Sequence, residues 1–356
     1  MNLSEHIFKI FYVAGRGRDP EAGGERFRYG STMKAIRYRR YGSPEVLEVT
    51  DVEPPAMGDH DVLVRVRAAS LNPLDRYFMR GRPYIMRAQA GLSRPKTHVL
   101  GADMAGAVEA VGPAVTRFRP GEEVFGGLDQ RGTLAEYISL PEDGALFAKP
   151  ANLTFEQAAG VPVVGYTALQ ALRKGHVERG QKVLVNGASG GVGTFTVQLA
   201  KAFGAEVTAV CSTRHVELVA SLGADRVIDY TKEDFTRPGP RYDVLLDVAG
   251  NRALSECRRV LAPKGILVGV GVPSQGRWIG PLVRPVRMAL TGPFVSQTMT
   301  FFLARQNAED LSVLSGFLES GTVVPVIDRT YPLAEVAEAM RYLEQGHAQG
   351  KIVIAV

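Results

Sequence analysis

A glycine-rich turn between an apolar run and a helical run constrains this chain more than any other feature of its sequence. Residues 183–185 (VLV) are wholly apolar, which is typical of a strand buried in a parallel sheet, and residues 186–193 (NGASGGVG) follow directly. Glycine allows a tight turn and a close approach of backbone N–H groups to phosphate, and a helix beginning near Val192 would attract its negative charge. We therefore expect a dinucleotide's pyrophosphate to be held by Ser189, Gly190, Gly191, Val192 and Gly193.

The alternation of helices and strands extends to both sides of this turn. A helix is predicted at 158–172 before it, and strands at 206–210, 226–228, 244–247 and 265–270 after it, with helices at 215–222 and 252–261 among them. Strands spaced in this way are joined by crossover helices on both faces of a parallel sheet. The fold class predicted for residues 158–305 is therefore α/β, with a doubly wound parallel sheet.

The end of the second predicted strand decides which dinucleotide is preferred. An Asp or Glu there would bond the ribose hydroxyls of NAD and repel an added phosphate, but this chain has Cys211, followed by Ser212 and Arg214. Hydroxyl groups and a guanidinium suit a 2′-phosphate. We expect NADP(H) as the cofactor, and the alternative for Arg214 is a solvated residue at a helix start.

The segments on either side of the parallel domain have a different pattern. Residues 33–157 contain short runs of alternating apolar residues, such as 61–67, separated by Gly and Pro, which is typical of an irregular β-barrel. Residues 323–327 and 351–354 look like further barrel strands, so 306–356 is expected to rejoin the first domain. Residues 1–32 are rich in Gly, Arg and Glu, and we predict a disordered extension there, with Met33 as the expected native start.

Composition limits the classes of function. A chain of 356 residues is long enough for two domains, and its net charge of +5 comes from scattered rather than clustered Lys and Arg, which makes nucleic acid an unlikely partner. Two cysteines, Cys211 and Cys257, are too few for a disulfide framework and fit a reducing cytoplasm. The sequence also lacks an apolar run long enough to span a membrane, so we expect no membrane association.

The motifs are more specific than this general pattern. Gly180-Gln181, Leu184, residues 188–191, Gly193, Gln198 and Lys201 resemble the signature of the quinone oxidoreductase/ζ-crystallin-like family, zinc-independent members of the medium-chain dehydrogenase/reductase superfamily. The resemblance covers nearly all of 33–356. It implies a GroES-like β-barrel catalytic domain, formed by 33–157 and 306–356, around a Rossmann domain, with a homodimer as the default assembly.

The resemblance also implies that catalysis uses no metal. Zinc-dependent relatives have a ligand cysteine where this sequence has Asn72, and a Gly-His-Glu motif where it has Gly101-Ala102-Asp103. Their four-cysteine structural zinc lobe is absent as well. Without a Lewis acid an unactivated alcohol is hard to oxidise, whereas a quinone or an α,β-unsaturated carbonyl delocalises the charge that arrives with hydride. NADPH-dependent reduction of such acceptors is the predicted function.

Individual roles follow from the resemblance. Asn72 and Tyr77 are expected to line the substrate and nicotinamide cleft and to donate hydrogen bonds or a proton, while Asp75 orients their loop. The other positions matched to the cofactor are Thr167 at the nicotinamide, Tyr230 near the 2′-phosphate, Val248, Gly250 and Val270 at the nicotinamide ribose, and Lys351. The structural alternatives are a turn residue for Asn72, a core aromatic for Tyr77 and a surface lysine for Lys351.

Other functions remain open at this point. The same scaffold serves zinc-free alcohol dehydrogenases and enoyl-thioester reductases, and a catalytically weak cofactor-binding or RNA-binding protein is an alternative of another class. The apolar stretch 281–303 is expected either to wall the substrate pocket or to form a dimer seam.

Overall fold

A computed structural model describes residues 32–84, 87–96, 98–127, 132–237, 239–270 and 280–356. The predicted disordered extension at 1–32 lies outside the described residues, except for Thr32. The chain folds into a largely antiparallel β-domain and a parallel α/β domain, as the sequence predicts.

The first part of the chain supplies most of the β-domain. Its strands are β1 (Met33–Arg37), β2 (Glu48–Val52), β3 (Asp61–Leu71), β4 (Asp103–Val111), β5 (Glu123–Gly127), β6 (Tyr137–Pro141) and β7 (Leu146–Ala148). Its helices are α1 (Pro73–Arg80), the short α2 (Arg87–Ala90) and α3 (Phe155–Ala159), with a 3₁₀ turn at Pro44–Val46. In β3, Val62, Val64 and Val66 are buried while Arg65 and Arg67 are exposed, which is the alternation expected of a strand with one face on a core.

The middle of the chain forms the parallel domain. It comprises α4 (Pro162–Lys174), β8 (Lys182–Asn186), α5 (Gly191–Ala202), β9 (Glu206–Cys211), α6 (Val216–Ser221), β10 (Arg226–Asp229), β11 (Tyr242–Asp247), α7 (Leu254–Arg259), β12 (Leu261–Gly269), α8 (Gly280–Thr291) and β13 (Thr298–Phe301), with 3₁₀ turns at Thr213–His215 and Gly292–Phe294. Within the described chain the strand order is β10-β9-β8-β11-β12-β13, and every neighbouring pair is parallel. Val183, Leu184 and Val185 are fully buried, because helices cover both faces of the sheet.

The last part of the chain returns to the β-domain. It comprises α9 (Ala308–Glu319), β14 (Ile327–Pro332), a 3₁₀ turn at Leu333–Glu335, α10 (Val336–Gln345) and β15 (Lys351–Ala355). Strand β15 pairs antiparallel with β3, placing Ile352 opposite Leu71 and Val353 opposite Ser70. The order in the larger sheet is β14-β15-β3-β4-β5-β7, with β6 also paired to β3. Lys351 therefore lies beside the residues that lead into α1.

Two predicted elements differ from the structure because of proline. The helix predicted at 158–172 is two helices, α3 and α4, since Pro162 occupies the first turn of the second one and disfavours a continuous helix through Val161. The strand predicted at 323–327 begins only at Ile327. Pro325 has no N–H for a strand partner, and the backbone N–H and carbonyl of Val324 both bond the side-chain amide of Gln198 instead.

Candidate functional site

The glycine turn joins β8 to α5 and has the shape of an anion cradle. Gly187 has a φ of 90°, in the left-handed region that favours glycine. A Cβ added at Gly193 would lie 2.1 Å from the carbonyl oxygen of Gly187, so this glycine lets the helix pack against the turn. A Cβ at Gly190 would meet only the same oxygen, at 3.9 Å, so that side of the turn is open. Both glycines were expected to admit the ligand; in the structure Gly193 instead serves packing, and Gly190 leaves space for the ligand's approach.

The first turn of α5 offers backbone N–H groups to this open side. The helix begins at Gly191 and has no acidic side chain in its first turn, so an anion there meets favourable partial charge. Val192 is half-buried and lies in this first turn, where a backbone N–H has no partner within the helix. The donor set therefore fits the pyrophosphate of a dinucleotide.

His215 links the glycine turn to the end of the second parallel strand, a role that was not predicted from the sequence. Its Nδ1 lies 3.0 Å from Ser189 Oγ and 3.4 Å from Ser212 Oγ, and the ring is buried. Burial lowers the pKa of His215, and the neighbouring Arg214 lowers it further, which favours the neutral ring. The one available signal was its position, three residues after Ser212 at the end of a strand.

The adenosine end of the candidate site combines exposed and paired groups. Arg214, which follows β9, is exposed, and Tyr230, which follows the neighbouring strand β10, is 49% exposed. Asp229 lies opposite Cys211 in the pairing of β10 with β9. A carboxylate is therefore next to the end of the second strand, although the last residue of that strand is not acidic. The hydroxyls of Thr213 and Thr231 donate to Asp229 at 2.6 and 2.7 Å, and bonding led by Thr213 lowers the pKa of Asp229 to about 2.

The residues assigned to the nicotinamide ribose follow the carboxyl ends of β11 and β12. Val248 N–H donates to the carbonyl of Asn186 at 3.0 Å, and Val270 N–H donates to the carbonyl of Asp247 at 3.1 Å. Gly250, with a φ of 62°, donates its N–H to Asp247 Oδ1 at 3.0 Å. The loop is thus shaped by Asp247, and it lies at the edge of the sheet where ligands of such folds bind.

Arg284 holds this loop in place and was also missed. From α8 its guanidinium pairs with the Asp247 carboxylate and donates to the carbonyls of Gly250 and Arg252, at 3.2 and 2.8 Å. Asp247 is wholly buried and Arg284 is 8% exposed. An arginine inside the apolar stretch 281–303 was the available signal, since a buried arginine requires a partner.

Asn72 and Tyr77 both lie at α1, which β3 leads into. Asn72 occupies the N-cap position of α1, but its side chain turns to other elements: Nδ2 donates to Asp103 Oδ2 at 2.9 Å, and Oδ1 accepts from Lys351 Nζ at 2.7 Å. Tyr77 is half-buried, and the guanidinium of Arg76 lies 4.8 Å from its ring centre. Asn72 therefore connects β4 and β15 within the β-domain, and it is only 1% exposed.

Thr167 and Lys351 lie between the Asn72 end of the candidate site and the glycine turn. The Thr167 hydroxyl donates to the carbonyl of Val163 at 2.5 Å, which leaves its oxygen as an acceptor on a half-buried face of α4. The stem of Lys351 adjoins the turn, since a Cβ on Gly191 would lie 3.0 Å from Lys351 Cδ. Its ammonium points away from the turn to Asn72, and the surface alternative does not apply, because Lys351 is 3% exposed.

Asp75 fixes the start of α1, and its burial predicts a pH effect on stability. Its carboxylate accepts from the N–H groups of Asn72 at 2.7 Å and Gly101 at 3.0 Å. Burial nevertheless raises the pKa of Asp75 from 3.8 to about 6, so the fold favours the protonated form. The contribution of Asp75 to stability therefore falls as pH rises from about 4 to above 6, by about 3 kcal/mol.

Urea unfolding of the wild type and of Asp75→Asn at several pH values checks this. The free energy of unfolding of the wild type, minus that of the variant, is expected to decrease between pH 4 and pH 7, as the carboxyl ionises in the native state. A difference that does not change with pH would contradict the assignment.

The described residues contain no group of three or more His, Cys, Asp or Glu side chains placed to hold a metal ion. Across the same part of the chain, no helix is both long and apolar enough to cross a membrane.

Comparisons with known proteins agree with this architecture. Residues 58–151 match the family model described as alcohol dehydrogenase GroES-like domain, and residues 222–354 match the one described as zinc-binding dehydrogenase. The solved quinone oxidoreductase of Coxiella burnetii superposes with a TM-score of 0.80 at 30% identity, covering 91% of this chain and 99% of that one.

Curated relatives extend over most of the chain. A chloroplastic protein of Arabidopsis thaliana named NADPH-dependent alkenal/one oxidoreductase is 36% identical over 335 residues, covering 90% of this chain and 79% of that protein. The human protein named quinone oxidoreductase is 30% identical over 337 residues, covering 90% of this chain and 97% of its own length. The family predicted from the motifs is thus confirmed, and the chain belongs to the quinone oxidoreductase family of the medium-chain dehydrogenase/reductases.

Proposed function

We propose that this protein is an NADPH-dependent oxidoreductase that reduces α,β-unsaturated carbonyls or quinones. The observation that carries the proposal is the open glycine cradle at Gly190, whose neighbour Gly191 adjoins the stem of Lys351, while the Lys351 ammonium bonds the Asn72 amide. These residues would hold a cofactor between the glycine turn and the start of α1. The names of the relatives, alkenal/one and quinone oxidoreductases, support the acceptor class.

The protein's own groups account for the remaining steps. The cofactor, when bound, supplies hydride to the acceptor. Reduction at the β-carbon of an enone leaves negative charge on the carbonyl oxygen, and reduction of a quinone leaves it on a phenolic oxygen. The Asn72 amide and the Tyr77 phenol donate hydrogen bonds to that oxygen, and Tyr77 or water returns a proton. The hydroxyl oxygen of Thr167, on α4, would accept a hydrogen bond from the carboxamide of a bound nicotinamide.

Cofactor selection is assigned to the groups that follow β9. Ser212, the exposed Arg214 and Tyr230 would hold the 2′-phosphate of NADPH. The Arg214 guanidinium would bond a dianionic phosphate more strongly than it would bond the 2′-hydroxyl of NADH. The Asp229 carboxylate turns its oxygens to the hydroxyls of Thr213 and Thr231, and the ammonium of Lys232, 3.5 Å from Oδ2, offsets its negative charge. His215, which bridges Ser189 and Ser212, orders the same corner.

Arg214→Ala tests that assignment. A charge-assisted bond contributes about 1.5–3 kcal/mol, so the variant is expected to raise the KM for NADPH by about 10- to 100-fold and to leave the KM for NADH unchanged. Arg179→Ala is the matched control, since Arg179 is exposed and precedes β8, at the opposite end of the sheet. Equal effects on the two cofactors would remove Arg214 from the 2′-phosphate site.

We further propose a homodimer formed at the edge of the parallel sheet. Strand β13 ends the sheet order, and the adjoining segment exposes Val286, Leu290 and Phe294, at 44, 62 and 86%. Light scattering would give twice the chain mass, and Phe294→Asp is expected to shift the measured mass towards that of a single chain.

A cytoplasmic location is proposed from the two free, buried thiols of Cys211 and Cys257, and imaging of the tagged protein tests it.

A further inference from the structure

A buried cluster of polar groups lies behind the Asn72 amide. Its side chains, here called the Asp103 cluster, are Ser70, Asn72, Asp103 and Lys351, with exposed fractions of 0, 1, 0 and 3%. They come from β3, the N-cap of α1, β4 and β15. A charge pair so far from water is destabilising unless its donors and acceptors are matched.

The matching is complete at both charges. The Lys351 ammonium donates to three acceptors: the carbonyl of Leu71 at 3.1 Å, Asn72 Oδ1 at 2.7 Å and Asp103 Oδ2 at 3.1 Å. The same Asp103 oxygen also accepts from Ser70 Oγ at 3.0 Å and Asn72 Nδ2 at 2.9 Å. Three N–H bonds meet three acceptors, so the cluster holds Lys351 in one place.

Two independent partners fix the orientation of the Asn72 carboxamide. Lys351 can only donate, so it selects the carbonyl end of the amide, while the Asp103 carboxylate can only accept, so it selects the NH₂ end. If the amide were flipped, its NH₂ group would face the Lys351 ammonium and its carbonyl oxygen would face the Asp103 carboxylate. One N–H of Nδ2 bonds Asp103, and none of the hydrogen bonds between described residues uses its second N–H.

We propose that Asp103 and Lys351 are positioning residues that lock the Asn72 carboxamide, so that its second N–H donates to the acceptor oxygen that gains charge on reduction. The inference rests on the proposed function for the identity of that oxygen. Without the lock the amide rotates, and its carbonyl oxygen then faces the developing negative charge. The lock therefore supplies transition-state stabilisation rather than cofactor affinity.

The cluster also ties the amide to the other walls of the candidate site. Asp103 Oδ1 accepts from Val163 N–H at 2.9 Å, at the start of α4, one turn before Thr167. Gly350 N–H donates to the carbonyl of Ser189 in the glycine turn at 2.8 Å. Asp103 thus sets the position of Asn72 relative to α4, and Lys351, which follows Gly350, sets it relative to the glycine turn.

Kinetics of charge-removed variants test the lock. Asp103→Asn/Lys351→Met removes both charges together and leaves neither one buried alone. We expect kcat to fall by about 100-fold with the KM for NADPH within about twofold, because one preorganised donor to a developing oxyanion is worth that much. Asn72→Ala should cost a similar factor, and the triple variant should cost no more than Asn72→Ala alone. Losses that multiply would overturn the lock.

Lys149→Met is the matched control. Lys149 is also a lysine of the β-domain, with a side chain only 5% exposed. Its ammonium bonds the carbonyls of Pro150 and Leu153 and lies 3.1 Å from Glu123, and among the described residues these partners lie outside the candidate site. It should lose stability and keep the wild-type kcat. An equal loss of kcat in the control would show that the effect is structural and would overturn the inference.

A measurement without turnover separates the lock from the proposed function. The side-chain ¹⁵N–¹H₂ signals of Asn72, assigned by their loss in Asn72→Asp, should exchange slowly with solvent in the wild type and at least about tenfold faster in Asp103→Asn/Lys351→Met. Protection in a wild type that reduces neither acceptor class would support the lock and reject the proposed function. Exchange that is equally slow in the variant would overturn the lock even if the enzyme is active.

Discussion

Gly193→Ala is expected to abolish measurable NADPH binding and to destabilise the parallel domain. The added Cβ would lie 2.1 Å from the carbonyl oxygen of Gly187 and 2.7 Å from Ala188 C and Cα, all of them backbone atoms that cannot rotate away. The start of α5 must then move out from β8, which costs about 1–3 kcal/mol and disrupts the donor set proposed to bind the pyrophosphate. Calorimetric titration with NADPH and thermal unfolding measure the two effects.

Gly316→Ala supplies the control for this substitution. Gly316 is an exposed residue of α9, and a Cβ there would meet nothing within 4 Å. Alanine is the better helix former, so this variant should gain up to about 1 kcal/mol and bind NADPH normally. If Gly193→Ala bound NADPH as tightly as Gly316→Ala does, the glycine turn would not be the cofactor site.

Arg284→Met is expected to lower the free energy of unfolding by about 3–5 kcal/mol, because it leaves the wholly buried Asp247 carboxylate without its cation. The loop at Gly250 loses two further donors, so NADPH affinity should also fall. Urea unfolding and calorimetric titration report the two losses. Adding Asp247→Asn should restore much of the stability, since the uncompensated charge is then gone.

An exposed ion pair is the comparison for this effect. Arg226 lies 3.6 Å from Glu233, with the two side chains 48 and 53% exposed, so Arg226→Met should change stability by less than about 1 kcal/mol. Similar losses from the two arginine substitutions would contradict the role given to burial at Asp247.

Local patterns carried most of the sequence prediction. The glycine turn was predictable because one strand, one turn and one helix within residues 182–202 dictate its shape, and the buried centre of β8, residues 183–185, is apolar. Within that turn the separate reasons for Gly190 and Gly193 were not predictable, since they depend on where the helix packs.

Contacts between distant parts of the chain account for what the sequence did not reveal. Arg284 and Asp247 are 37 residues apart, and Lys351 and Asn72 are 279 apart, so no spacing rule connects them. The resemblance placed Lys351 at the cofactor, yet its ammonium bonds the Asn72 amide. His215 was interpreted only as a helix start, because its two serine partners meet only in the folded sheet.

The most direct test of the central claim is NADPH oxidation by the purified protein with a panel of enones and quinones, with NADH as the second cofactor and with metal analysis of the same sample. The account predicts turnover of enones or quinones, NADPH preferred over NADH, and no stoichiometric zinc. Saturable NADPH binding without turnover of any acceptor would contradict the claim, and stoichiometric zinc required for turnover would contradict its mechanism.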